Sequence, residues 1–318
     1  MELSLMQKVI KRGLSKIKNY SMSYNRKDFL RTAAMATAGI SLSQSLMACD
    51  SEGKKLQYGI QLYTVRNDVF KNVETTLQYL SKAGYTQIEL FGFDGSKFFG
   101  KTPKEFKAIF DANGLTAPSG HYYLPPVLYE GNKDLWKVTV EAAKTMGSNY
   151  MVVPWLDDKH RSAEDFKKLV GTINELAVIT KDAGMKLAYH NHEFEFGKAE
   201  DGKTFLQHLL DGTDKSMVDF ELDLYWVVYA GENPVDWFKK YPGRFTMWHV
   251  KDMTTNKAGK KESTQVGDGT IDFTAVYAQR KLSGLKYGFV EQEAYTMPEE
   301  QCIKRSIEYM RKKKWGNS

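Results

Sequence analysis

From Lys54 onward the apolar positions follow two alternating rhythms. Short runs rich in β-branched and aromatic residues predict strands near Tyr58–Tyr63, Tyr85–Leu90, Leu115–His121, Tyr150–Pro154, Lys186–His190, Met217–Asp223, Phe245–Val250 and Tyr287–Glu291. Between them, apolar residues recur at three- and four-residue spacing, which predicts helices over Val69–Ala83, Pro103–Asn113, Lys133–Met146, Ala163–Ala183 and Pro298–Lys313. Gly84, Gly114, Gly147 and Gly184 each follow a helical stretch and precede a strand, as left-handed helix stops do.

Eight alternating strand–helix units imply a (β/α)8 TIM barrel, with parallel strands and chemistry at their C-terminal ends. A doubly wound open sheet is the competing architecture. It usually carries a glycine-rich phosphate loop after its first strand, and here that place holds Gln61-Leu62-Tyr63-Thr64-Val65-Arg66. No linker divides the body, so residues 49–318 are assigned to one barrel domain. The segment from Asp252 to Thr270, rich in Lys and Gly, is expected to be a long loop able to cover the site.

Charge changes the picture at one end only. Residues 1–48 carry eight Lys or Arg against Glu2 and Asp28, and the remaining basic and acidic residues of residues 49–318 balance. The net charge of +6 therefore belongs to the N-terminal segment and gives no sign of a nucleic-acid surface on the body. Asn25-Arg26-Lys27-Asp28-Phe29-Leu30-Arg31, then the small-residue run Thr32–Ala48, resembles a twin-arginine-like export signal. Leu46-Met47-Ala48-Cys49 resembles a lipoprotein cleavage box, which predicts an exported, periplasmic or membrane-anchored protein held by a lipid at Cys49. With Cys302 as the only other cysteine, no disulfide framework is expected.

Ionisable residues placed on this map gather at one end. Four of the six histidines, His121, His190, His192 and His249, fall at or just past a predicted strand end, together with Glu89, Asp223 and Glu291. A barrel mouth brings such groups together from distant parts of the chain, and a His/carboxylate cluster is what a divalent cation requires. A hydrogen-bonded pocket without metal is the plainer reading of the same residues. Tyr63, Tyr122, Trp155 and Trp226, also at strand ends, are candidates for an apolar floor under a sugar ring, and His121 and Glu89 for further substrate contacts.

The runs Leu187-Ala188-Tyr189-His190-Asn191-His192-Glu193-Phe194, Leu222-Asp223-Leu224-Tyr225-Trp226, Trp248-His249-Val250-Lys251-Asp252 and Val290-Glu291-Gln292-Glu293 resemble the xylose isomerase-like barrel superfamily, in its sugar phosphate isomerase/epimerase branch. Gly267-Asp268-Gly269-Thr270-Ile271-Asp272-Phe273 resembles that branch's loop before the seventh helix. The resemblance implies one divalent ion (Mn, Mg, Co or Zn) held by residues of the fifth to eighth strands, here His190, Asp223, His249 and Glu291. His190 departs from the family's Glu at this place, which disfavours a symmetrical two-carboxylate epimerisation. Glu291 and His192 are then the candidate proton-transfer groups, Lys251 the candidate stabiliser of developing negative charge, and Glu193 and Glu195 possible completions of the ion site.

The implied function is isomerisation, epimerisation or lyase/hydratase chemistry on an unphosphorylated sugar or keto-sugar, starting with removal of a proton next to a carbonyl. A non-catalytic carbohydrate-binding lipoprotein is the alternative. A metal-dependent endonuclease is disfavoured by the neutral body and the single set of ligands.

Overall fold

The structure is a computed structural model and describes residues 56–317. The N-terminal segment and Cys49, on which the export reading rests, lie outside the described residues. Eight parallel strands form the barrel: β1 (Gly59–Gln61), β2 (Gln87–Leu90), β3 (Thr116–Gly120), β4 (Tyr150–Val153), β5 (Lys186–His190), β6 (Val218–Asp223), β7 (Met247–Val250) and, after the hairpin β8 (Asp252–Thr255) and β9 (Lys261–Thr264), β10 (Tyr287–Val290). They pair in the order β3-β2-β1-β10-β7-β6-β5-β4. Backbone bonds from Asn149 N–H to Pro118 O (2.8 Å) and from Tyr122 N–H to Val152 O (2.9 Å) join β3 to β4 and bring the ring round.

Local chemistry explains the elements. Thr102, Ser162 and Thr204 each open a helix with a capping box, their hydroxyls accepting from the N–H three residues on while Glu105, Asp165 and Gln207 reach back. The four glycine stops all take positive φ. The first predicted helix is interrupted: a short turn, Arg66–Val69, ends at Phe70, and Val73–Ala83 restarts with Asn72 accepting from Thr75 N–H.

Two cores follow from strand alternation. Outward residues such as Ile88, Leu187, Leu222 and Trp248 pack on the helices through Leu77, Phe106, Trp136, Ile173 and Ile307. Inward residues Tyr150, Val152, Ala188, Met247 and Phe289 fill the barrel's interior. Above that plug the inward positions turn polar, and the site begins.

The expected Asp252–Thr270 loop is instead an antiparallel hairpin pairing Asp252–Thr255 with Lys261–Thr264, closed by Asn256–Lys260. Its Thr-rich arms pair as strands, and the Lys/Gly composition belongs to the turn.

Candidate active site

On β6 the period of two puts Asp219, Glu221 and Asp223 on the inward face, and on β5 it does the same for Lys186, Ala188 and His190. The register sets His190 beside Glu221 and Asp223 beside His249. Residues 31 and 26 positions apart thus become cross-strand neighbours.

Two tiers result. In the upper tier, Asp223, His249 and Glu291 offer ligand atoms all within 4.8 Å of one another. His249 Nδ1 is 2.9 Å from Glu291 Oε2 and 3.8 Å from Asp223 Oδ2, while His190 Nε2 stands 3.9 Å from that same oxygen. Lys251 is buried and reaches Glu291 Oε2 at 3.2 Å, Asp223 Oδ2 at 3.7 Å and the Glu293 carboxylate. Asp223 Oδ1 caps the following helix by accepting from Tyr225 N–H and Trp226 N–H, but its Oδ2 is buried with no hydrogen-bond partner.

In the lower tier, Glu89 Oε2 accepts from His249 Nε2 (2.6 Å) and Gln61 Nε2 (2.9 Å), and Oε1 accepts from Ser119 Oγ (2.6 Å). Glu221 Oε2 meets His121 Nε2 at 2.7 Å and His190 Nδ1 at 3.1 Å, leaving Oε1 buried and unpartnered. Glu89 differs here from its expected role as a substrate contact: it is fully buried and committed to the imidazoles above it.

Burial and charge set the protonation states. Burial pushes Asp223 up to about 7 against the pull of Lys251, and pushes His190 down to about 3, helped by His249. Burial also opposes ionisation of Glu291, but Lys251 and His249 outweigh it and hold the carboxyl well below its usual range. His249 is desolvated too, yet Glu221 and Glu291 raise it well above the usual imidazole value. Such a set, with burial and charge pulling neighbours apart, marks a functional site.

Around the mouth, His192 packs edge-on to Trp155 (centroids 4.6 Å) and against Trp226 (5.3 Å), and burial holds it well below its usual pKa. Its Nδ1 and Trp226 Nε1 are buried and unpartnered. Trp155 has one face taken by the Arg161 guanidinium at 4.4 Å, and Tyr63 lies under Arg66 at 4.6 Å. Tyr122 does not join them. It points outward from the strand end into the packing of Phe93 and Phe98. Among the alternative ligands, Glu195 is buried and held by Tyr189 Oη and His192 N–H, so it braces the loop and does not enter the ion site. His160 stacks on Tyr129, and His208 meets Asp201.

Asp252 anchors the end of β7. Its carboxylate accepts from the backbone N–H groups of Met253, Gly267, Gly269 and Ile271 at 2.8–3.2 Å, tying the Gly267–Phe273 loop under the hairpin next to Lys251. Gly269 is required by this approach, because a Cβ there would lie 2.3 Å from Asp252 Oδ1.

A divalent ion fits the upper tier. Asp223, His249 and Glu291 offer a mutually close donor set with His190 Nε2 beside it, and Asp223 Oδ2 is a buried carboxylate oxygen lacking any hydrogen-bond partner.

The xylose isomerase-like TIM barrel family model matches residues 77–313. The chain belongs to that family. An inosose dehydratase of Clostridium botulinum (strain Alaska E43 / Type E3) is 27% identical over 225 residues, which span 60% of this chain and 74% of that protein. A sugar phosphate isomerase/epimerase from Parabacteroides distasonis superposes with a TM-score of 0.70 at 28% identity, over 83% of this chain and 96% of that one. The IOLI protein, solved with a zinc atom, shares the fold at a TM-score of 0.62 and 18% identity, over 80% and 96%. This places the chain in an enzyme family of sugar isomerases, epimerases and inosose dehydratases.

The sequence reading missed Glu221, Ser119 and Gln61. Glu221 had a signal: it lies two residues before Asp223 and therefore on the same strand face.

Proposed function

We propose that this protein is a metal-dependent lyase of unphosphorylated keto-sugars or keto-cyclitols, removing a proton beside the carbonyl and expelling the β-oxygen as water. The observation that carries this reading is the unpartnered Asp223 Oδ2 among His190, His249, Glu291 and Lys251. These residues would hold one divalent ion, a reading supported by the zinc atom of the IOLI protein. Such an ion polarises a carbonyl and stabilises an enolate oxygen.

The chain's own groups supply the rest. His192 is neutral and its Nδ1 is unpaired, so it takes the α-proton, whereas Glu291 is already engaged by His249 and Lys251. The buried Lys251 ammonium faces the developing negative charge. His192 then returns the proton to the departing hydroxyl, a one-sided path suited to a fifth strand that offers His190 in place of a second carboxylate. The inosose dehydratase relatives support elimination as the outcome.

The basic groups near the mouth are already engaged: Lys251 by acids, Arg66 by Tyr63 O, Tyr295 Oη and Glu293 O, and Arg161 by Leu156 O and Asp158. Among the described residues this leaves no phosphate clamp there, which supports an unphosphorylated substrate. Export and tethering through Cys49 form part of the same reading, and Cys49→Ser is expected to move the protein out of the membrane fraction.

A keto-sugar panel incubated with the cobalt-loaded protein in deuterated water tests the chemistry. Deuterium at the α-carbon together with an enone or diketone product is expected. His192→Asn should suppress both by about 10²-fold while cobalt content is unchanged. Exchange with sugar phosphates alone, or none with any sugar, would sink the proposal.

A further inference from the structure

The upper tier needs one particular nitrogen from each of two imidazoles. A neutral imidazole can present either nitrogen as a lone pair, so a neighbour has to select it. A carboxylate can only accept, and therefore demands an N–H wherever it meets an imidazole.

His190 meets Glu221 Oε2 through Nδ1 at 3.1 Å, and His249 meets Glu89 Oε2 through Nε2 at 2.6 Å. The opposite nitrogens, His190 Nε2 and His249 Nδ1, are those standing 3.9 and 3.8 Å from Asp223 Oδ2. His249 Nδ1 also meets Glu291 Oε2 at 2.9 Å, so in the metal-free protein both its nitrogens carry a proton, and Nδ1 gives its own up when the cation binds.

We propose that Glu221 and Glu89 are positioning residues. From one tier down, each takes the N–H of one imidazole and turns its other nitrogen to the mouth as a ligand for a divalent cation. The inference rests on the ion site read above.

Neither carboxylate is free to swing away. Glu89 is fixed by Ser119 Oγ at 2.6 Å and Gln61 Nε2 at 2.9 Å. Glu221 sits beside His190 in the strand register, so the pair is set by backbone pairing. His121 Nε2 bridges them, 2.7 Å from Glu221 and 3.4 Å from Glu89. The arrangement repeats on neighbouring strands a pattern known for imidazole ligands, whose second nitrogen is oriented by a carboxylate.

The test combines ¹⁵N-histidine NMR of the metal-free protein with calorimetric titration of cobalt(II). In the wild type, His190 is expected as the Nδ1–H tautomer. Glu221→Leu removes the acceptor and puts no donor in its place, so the Nδ1–H preference should be lost and cobalt affinity should fall by about 10- to 100-fold.

Glu89→Gln keeps an acceptor toward His249 and can donate its amide to Ser119, so it should lose less affinity than Glu89→Ala. That graded pair also decides the matter if Glu221→Leu does not fold. An unchanged tautomer in Glu221→Leu, or cobalt affinity at the wild-type level in Glu221→Leu and Glu89→Ala, overturns the proposal.

Asp223→Asn separates the two readings. Its loss of cobalt binding upholds the ion site whatever the Glu variants do. If the wild type binds no cobalt, the ion site fails, and the His190 tautomer alone decides whether Glu221 positions it.

Discussion

Asp219 and Asp223 stand four residues apart on the inward face of one strand, and they illustrate two uses of a buried carboxylate. At the lower end of the barrel, Asp219 accepts from Lys186 Nζ (3.0 Å), Tyr150 Oη (3.0 Å) and Thr246 Oγ1 (3.1 Å), so both oxygens are satisfied. At the mouth, Asp223 spends one oxygen on a helix cap and leaves the other buried and bare. The closed network is what stability favours. The open one carries an electrostatic cost that a bound cation would relieve, and burial accordingly pushes Asp223 up to about 7.

Substituting each aspartate breaks the comparison most directly. Asp223→Asn keeps the cap acceptor but removes the charge, and is expected to abolish cobalt retention and activity with melting temperature nearly unchanged. Asp219→Asn should do the reverse, lowering stability by about 2 kcal/mol with activity retained. Elemental analysis, calorimetry and turnover on both variants check this; an Asp223→Asn protein that keeps its cobalt removes the distinction.

Lys251 is the cation of the open network. Lys251→Met preserves length and packing against the Tyr225 and Trp226 rings. It should lower kcat by about 10²-fold while cobalt is retained. Turnover near the wild-type rate would make Lys251 a counter-ion for Glu291 and Glu293 and nothing more.

Asp252 offers a second closed case, four backbone N–H groups on one carboxylate. Asp252→Ala strands those donors and is expected to cost about 2–3 kcal/mol, read by urea unfolding. A loss below 0.5 kcal/mol, roughly the surface-substitution level, would mean the loop is held elsewhere.

The barrel was legible because periodicity and the glycine stops act within single segments. Strand ends then located His190, Asp223, His249 and Glu291, since a parallel barrel gathers them at one mouth. What stayed hidden depends on pairing across strands. Glu221 and Ser119 lie inside strands, and only the register reveals that Glu221 meets His190 and that Ser119 meets Glu89. Tyr122 was placed at the mouth because it follows a strand end, but alternation after His121 sends it to the outer face. The hairpin after β7 was masked by its Lys-rich turn, and the Phe70–Asn72 break by apolar residues that continue the helical spacing on either side.

Glu195 sharpens the comparison from the other side, because it is fully partnered and still perturbed. It is buried, it accepts from Tyr189 Oη at 2.6 Å and His192 N–H at 2.7 Å, and burial pushes it up to about 8 despite both bonds. A raised pKa therefore does not by itself mark an ion ligand; at Asp223 the mark is a bare oxygen together with His249 and Glu291 ligand atoms close by. The sign of the effect is fixed. The folded chain keeps a proton that the unfolded chain releases near its ordinary value of about 4.3. The stabilisation is complete below that pH and is lost as pH rises through about 8. Its slope between those limits is at most about 1.4 kcal/mol per pH unit. Glu195→Gln removes the titration but keeps the geometry, with the amide oxygen accepting from His192 N–H and the amide nitrogen donating to Tyr189 Oη. Urea unfolding at pH 5, 6.5 and 8 should show the wild type losing stability relative to Glu195→Gln as pH rises; parallel curves would show that Glu195 is already ionised in the folded protein.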